Sequence, residues 1–400
     1  MTKNWIHEKF MMIKIKELLK VWGPAWLVMI ADVDAASVIT AAESGAKFGT
    51  KLVWFLLALT VPLFVIQEVA GRVGLVTKKG LGELIRENYS TRTAIFASIP
   101  MALVDIISYV VEYTGIAIGF EILGIPPIVS VPVVFLIHII IVYKRKYAQA
   151  EKPLLFISVF FVISWMISAY LTTKNGINIT PFYFSSSPDF FFLLAANIGA
   201  VIMPFMLFYQ TSATAEKGGT VKNLRGMRLE TLIGAIVSEV IMAAIAIAAI
   251  GIGNESFDFS NPGALAAGLT KIAGTWAPYL FSFGLITASF IALIVISLGS
   301  SWGVTEALGW RRKNWFRIYL VESIPAMIVP LLSLNLVNLA LNLMVLQILV
   351  LIGPALILGL ISSNKKLMGD YYLGGFNKVI YWTTLALILV TGFASILYQV

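Results

Sequence analysis

Apolar runs long enough to cross a bilayer recur from one end of this chain to the other. A transmembrane helix needs about 20 predominantly apolar residues. Eleven runs fit, at about 23–43, 48–70, 94–118, 126–143, 153–172, 190–213, 229–252, 274–300, 315–334, 338–361 and 379–398. Composition agrees: 59% of the 400 residues are hydrophobic and 12% are charged, against about 25% charged in a soluble domain. The fold class is an all-α integral membrane protein with about 11 transmembrane helices. There is no cysteine, which excludes disulfides, thiolate metal sites and cysteine nucleophiles.

The basic residues fix a topology. Of the 29 Lys and Arg, 25 fall before the first span or in alternate loops, and only Lys47, Lys51, Lys174 and Lys271 lie on the other side. Lys and Arg favour cytoplasmic loops, so the N-terminus is expected in the cytoplasm and, after an odd number of spans, the C-terminus outside. The net charge of +8 is then a consequence of topology, not a sign of a nucleic-acid partner. Residues 1–22 are basic and amphipathic without a signal-peptide core, and read as a cytoplasmic lead-in.

One span breaks the apolar rule in its middle. The run GPAWLVMIADVDAASVITAAESG carries Asp32 and Asp34 with no Lys or Arg beside them. A charged side chain at bilayer depth costs roughly 2.5–3.5 kcal/mol on insertion scales, so such residues face a cavity or a partner. A cation carried by the protein is the simplest partner. Ala35, Ala36 and Ser37 follow, a run of small residues at which the helix is expected to open and expose backbone carbonyls.

The sixth span holds a second interruption, at Met203-Pro204. Proline removes a backbone hydrogen bond and kinks or breaks a helix, and the thioether of Met203 is a soft ligand suited to transition metals. Spans one and six each open a group of five. Two broken helices at matching positions point to inverted repeats with a midplane binding site, here 23–172 and 190–361, with 379–398 as an eleventh helix outside the repeat and 1–400 forming one transporter domain.

Other polar residues in the spans leave alternatives open. Asp105 and Glu112 lie seven residues apart on one face of span three, as bundle hydrogen-bond partners or as an ion or proton route. His138 reads as a packing residue. Glu230, Glu306 and Glu322 sit near span ends within reach of Arg228, Arg311 and Arg317, whereas Glu239 is deeper. Asn342 and Gln347 in span ten either hydrogen-bond between helices or offer oxygens to an ion. The stretch 71–89 is expected to contain a short amphipathic surface helix.

Several stretches resemble the Nramp family of divalent metal transporters: GPAWLVMIADVDAAS and SGAKFGTKLVW around the first span, IQEVAGRVGLVTKKGLGELIRENY after the second, VEYTGIAIGF in the third and GAVIMPFML in the sixth. The resemblance implies a LeuT-like fold of the APC superfamily, with a metal between broken helices one and six. The family's Asp-Pro-Gly-Asn falls on Asp34-Ala35-Ala36-Ser37. The implied ligands are Asp34, the Ala200 carbonyl and Met203, with Ser37 replacing the family asparagine and Gln347 matching a polar ligand of helix ten. Two positions that the family associates with proton movement are Tyr109 and Phe205 here. Both lack the family's ionisable group, which argues against proton symport by that route. Asp32 is an additional carboxylate. On an intact helix it would point about 200° from Asp34, but an unwound segment could bring both to one ion, favouring a harder cation.

The expectation is a secondary transporter of divalent metal, Mn²⁺ or Fe²⁺, acting by alternating access. The metal is substrate, and no cofactor is implied. The partners expected are the ion and the lipid bilayer, with the protein a monomer. A hard-cation transporter such as one for Mg²⁺, or an amino-acid carrier, is the alternative on the same fold. An enzyme is disfavoured because no His-Glu-x-x-His constellation is present.

Overall fold

The computed structural model describes residues 23–143, 147–174, 176, 178, 180, 182–250, 261–332 and 337–399. The expected lead-in at 1–22 and the basic residues 144–146 lie outside this set. Among the described residues there are helices and connections and no strand. Nine helical stretches are long and apolar enough to cross a membrane, and Pro127–Tyr143 is a shorter tenth. One of the nine, Ala35–Thr77, contains both the end of the first span and the second, so the described helices regroup into the eleven expected crossings.

In chain order the helices are α1 (Pro24–Asp32), α2 (Ala35–Phe48), α3 (Val53–Ala58), α4 (Thr60–Thr77), α5 (Leu81–Asn88), α6 (Thr91–Ile122), α7 (Pro127–Tyr143), α8 (Tyr147–Thr173), α9 (Pro188–Val201), α10 (Pro204–Glu216), α11 (Leu224–Ala249), α12 (Pro262–Ala273), α13 (Ala277–Ala307), α14 (Trp315–Ile328), α15 (Val337–Ser363), α16 (Lys365–Met368) and α17 (Gly375–Gln399). Span one is α1 plus α2, and span six is α9 plus α10.

Each break has its own local cause. In span one, the helix stops at Asp32 and Asp34 adopts an extended conformation, with its carboxylate accepting from Ser37 N at 2.7 Å. Aspartate is among the best N-caps because its short side chain satisfies a free N–H of the first turn. The opening therefore falls at Val33–Asp34. The expected opening at Ala35–Ser37 is incorrect: those three residues form the first turn of α2. In span six, Pro204 has no N–H to give and disfavours a helical conformation in the residue before it. Met203 is accordingly extended, and Pro204 is the first residue of α10.

Close helix packing holds the broken segments in place. Gly199 of α9 lies against α15, where a Cβ would fall 1.7 Å from the Met344 carbonyl oxygen. Gly45 of α2 meets the Ala246 carbonyl of α11 in the same way. Small residues at such crossings let helices approach backbone to backbone. Asn197 of α9 donates to Ser44 Oγ of α2 at 2.8 Å, which ties the two inner segments together.

The ends of the bundle sort the loops. Lys78 donates to the Gly219 carbonyl, Arg86 to the Glu306 carbonyl, and Arg228 to Glu68 at 2.7 Å, so three basic segments gather at one end. At the other, Thr50 donates to the Asn178 carbonyl at 3.0 Å and Lys51 sits 4.5 Å from the Tyr183 ring centre. The helix expected within 71–89 is α5. Its Leu81, Gly82, Leu84 and Ile85 are buried, and Gly82 rests on α13 at Gly303 and Glu306. Helix α12 is not among the expected elements; its start is capped by Asn261 accepting from Ala264 N at 3.0 Å.

The boundary glutamates take partners on other helices. Glu230 accepts from the backbone N–H groups of Gly23 and Trp26, at 2.6 and 2.9 Å, and so caps α1 from α11. Glu322 accepts from Ser300 at 2.9 Å, and Glu306 from Ser212 at 2.9 Å. Arg228 instead joins Arg72 on Glu68. A helix N-terminus leaves N–H groups without partners and carries partial positive charge, so a carboxylate there both satisfies and attracts. Replacing Glu230 with alanine strands two donors and is expected to destabilise the protein by about 1–3 kcal/mol. Thermal unfolding of the purified variant in detergent measures this, and Glu230→Gln, which keeps one acceptor, is expected to fall between the two.

Candidate functional site between the broken helices

The two breaks face each other across a hydrogen bond. Ser37 Oγ, in the first turn of α2, donates to the Ala200 carbonyl near the end of α9 at 3.4 Å. Asp34, Ser37, Ala200 and Met203 are all fully buried. One Asp34 oxygen is occupied by the cap, and the other, Oδ2, meets no donor among the described residues. Ala200 belongs to the last turn of α9, whose carbonyls lack helical partners. The C-terminal ends of α1 and α9 carry partial negative charge, which favours a cation near them. Met203 brings a thioether to the start of α10, while its N–H is turned toward Met206 Sδ at 3.5 Å.

Three further sequence candidates sit on the flanking helices. Gln347 of α15 donates to Ser108 of α6 at 3.2 Å, and its Oε1 meets no donor among the described residues. The amide thus makes the interhelical bond and keeps an oxygen free. Glu112 of α6 accepts from Ala35 N at 3.1 Å, a second side-chain cap on α2, and its carboxyl neighbours that of Asp34. Asp105, about two helical turns earlier, goes elsewhere: it lies beside Glu322 of α14 and is fully buried.

Asp32 and Asp34 turn to different partners. Asp32 Oδ2 accepts from Ser238 of α11 at 2.6 Å, and Glu239 lies beside it. Asn342 is on an exposed face of α15. His138 is satisfied by Tyr113 at 2.9 Å and Ser297 at 2.8 Å, as a packing histidine would be. Pro354 lies inside α15, which runs through it as one helix. The partners Ser108, Ser238 and Glu230 are not readable as such from sequence, because nothing local in their segments marks a long-range hydrogen-bond partner.

At the two breaks and on the helix beside them lie a carboxylate, a hydroxyl, a carbonyl and an amide, plus one thioether, and none of them is ion-paired to a basic side chain among the described residues. Oxygen and thioether together suit a first-row transition metal. The cap and the free oxygen of Asp34 are separable by mutation. Asparagine caps as well as aspartate, whereas alanine forfeits about 1 kcal/mol. Asp34→Asn is therefore expected to melt close to the parent protein and Asp34→Ala measurably lower, as read by thermal unfolding. Equal losses would contradict the assigned cap.

Comparison with known proteins places this geometry. The chain is 25% identical to the divalent metal cation transporter MntH of Klebsiella pneumoniae subsp. pneumoniae, over 97% of this chain and 96% of that one. It is also 25% identical to the MntH of Yersinia enterocolitica, over 88% of each. Among solved structures, the manganese transporter of Eremococcus coleocola aligns with a TM-score of 0.79 at 19% identity, covering 95% of this chain and 86% of that one. MhsT, solved with L-phenylalanine, aligns with a TM-score of 0.61 at 11% identity over 94% and 98%. At these identities the structural likenesses are of fold, a LeuT-like helical bundle. The pattern that defines the natural resistance-associated macrophage protein-like family matches residues 25–398, and the chain belongs to that family, Nramp, whose members are transporters.

Proposed function

We propose that this protein carries divalent metal cations, Mn²⁺ first and Fe²⁺ second, across the membrane by alternating access, with the ion bound between the two breaks. The observation that carries this reading is the buried, unpartnered oxygen of Asp34 next to the Ser37–Ala200 contact. Asp34 supplies charge, the Ala200 carbonyl and Met203 supply an oxygen and a sulfur, and Ser37 and the free Oε1 of Gln347 complete the shell. Asp32 is outside this shell, engaged by Ser238 of α11. Kinship with transporters named for divalent metal and for manganese supports the same substrate class. The metal is cargo, and the reading calls for no cofactor.

The reading extends to organisation. Residues 1–400 act as one transport unit, with a lead-in at 1–22, five-helix repeats at 23–172 and 190–361, and a separate eleventh helix at 379–398. The gathering of Lys78, Arg86 and Arg228 at one end of the bundle makes that end cytoplasmic by the positive-inside rule, with the N-terminus inside and the C-terminus outside. The protein works as a monomer. Tyr109 and Phe205 leave Glu112 and Asp105 as the carboxylates of any proton route along α6.

Uptake into liposomes holding the purified protein, read with an internal pH dye, tests this. Mn²⁺ uptake is expected, and Asp34→Ala is expected to abolish it while still inserting. Uptake without acidification is the expected result for a protein lacking the ionisable groups at 109 and 205. Acidification abolished by Glu112→Gln would instead establish symport through Glu112. Met203→Ala is expected to lower the preference for Mn²⁺ over Mg²⁺, because the remaining donors are oxygens. No metal uptake, with amino-acid uptake in its place, would overturn the reading.

A further inference from the structure

Away from the gap, α1 and α11 bury a second group of carboxylates that the proposed site does not use. Asp32 is the last residue of α1, and Glu239 lies midway along α11. Asp32 is 1% exposed and Glu239 0%. Ser238 donates to Asp32 Oδ2 at 2.6 Å. That leaves three carboxylate oxygens, Asp32 Oδ1 and both of Glu239, with no donor among the described residues. The two carboxylates are within electrostatic reach of each other, and neither enters an ion pair among the described residues.

Such an arrangement is unstable as it stands. Removing a charge from water costs several kcal/mol, and two like charges side by side in a low dielectric add repulsion. Helices usually hide one such group behind an Arg or Lys, and none is supplied among the described residues. Glu239 is the informative member. It is not needed to hold Asp32, which Ser238 already engages, yet it buries a whole carboxylate with both oxygens unused beside Asp32. A carboxylate that is buried, without a donor among the described residues and within electrostatic reach of a second acid is what a cation requires of its ligands.

We propose that Asp32, Ser238 and Glu239 form a second cation site, separate from the one at Asp34 and Met203. Its donors are all oxygen, from two carboxylates and a hydroxyl. Oxygen-only sites favour hard cations of the first two groups, Na⁺, Mg²⁺ or Ca²⁺, over the transition metals that a thioether attracts. The site joins the end of α1 to α11. Because Asp32 is separated from Asp34 only by Val33, an ion held there fixes the side of the break that α1 contributes. Occupancy of one site therefore changes affinity at the other, and by linkage the effect is reciprocal.

The test uses the full-length protein in detergent, with melting temperature followed as NaCl (balanced by choline chloride), MgCl₂, CaCl₂ or MnCl₂ is added. A ligand that binds the folded state raises the melting temperature in a concentration-dependent way. At least one of Na⁺, Mg²⁺ and Ca²⁺ is expected to stabilise the parent protein and Asp34→Asn alike, and to lose that effect in Glu239→Gln. Mn²⁺ is expected to show the reverse dependence, so failure of the second site and failure of the metal site at the break are distinguishable. If Glu239→Gln does not fold, Ser238→Ala decides. It keeps both acids and is expected to raise the half-saturating concentration about tenfold, the equivalent of one lost charge-assisted hydrogen bond or ligand. The proposal is overturned if no hard cation stabilises the parent protein. It is equally overturned if the hard-cation effect is lost in Asp34→Asn, which would make the two sites one, or if it survives Glu239→Gln or is unchanged in Ser238→Ala.

Discussion

A carboxylate at the depth of the hydrocarbon core must be satisfied from within the protein, and at Asp34 it is satisfied by the backbone of its own chain. One oxygen accepts from Ser37 N at 2.7 Å, and this starts α2 where α1 has just stopped. The same bond leaves the second oxygen buried with no donor among the described residues, beside the Glu112 carboxyl. Opening the helix and exposing a charged ligand are thus one event. The break in span six has a different cause, the missing N–H of Pro204, but a matching result: it frees the end of α9 and places Met203 beside it.

Broken helices are soft unless their surroundings hold them. Here the N-terminal end of α1 is capped by Glu230 from α11, and the start of α2 is capped a second time by Glu112 from α6. The segments α2 and α9 are clamped by Asn197 on Ser44 and by glycines at 45 and 199, which admit carbonyls of α11 and α15 too closely for any side chain. Glu68, Arg72 and Arg228 lock α4 to α11 at one end. The result is a scaffold against which spans one and six are the discontinuous elements, the division of labour that alternating access requires.

Much of this was legible in the residues themselves. Spans were readable because apolar length is a one-dimensional property, and the two interruptions because Asp34 and Pro204 act on their own backbone. The first break lies two residues before the small residues Ala35 to Ser37, because the capping strength of Asp34, and not small size, sets where a helix begins. Glu230 and Glu322 lie within sequence reach of arginines, but Glu230 also caps Gly23 and Trp26 about two hundred residues away, and Glu322 accepts from Ser300 on a neighbouring helix. Asp32 could not be separated from Asp34 by sequence, since only the tertiary placement of Ser238 shows which way it turns. α12 escaped because its segment is too short to read as a span.

If the facing breaks form one metal site, anomalous diffraction from crystals of the protein grown with Mn²⁺ shows a peak bounded by Asp34, the Ala200 carbonyl and Met203, which disappears in Asp34→Asn. A peak located elsewhere in the bundle, or one that persists in Asp34→Asn, would contradict it.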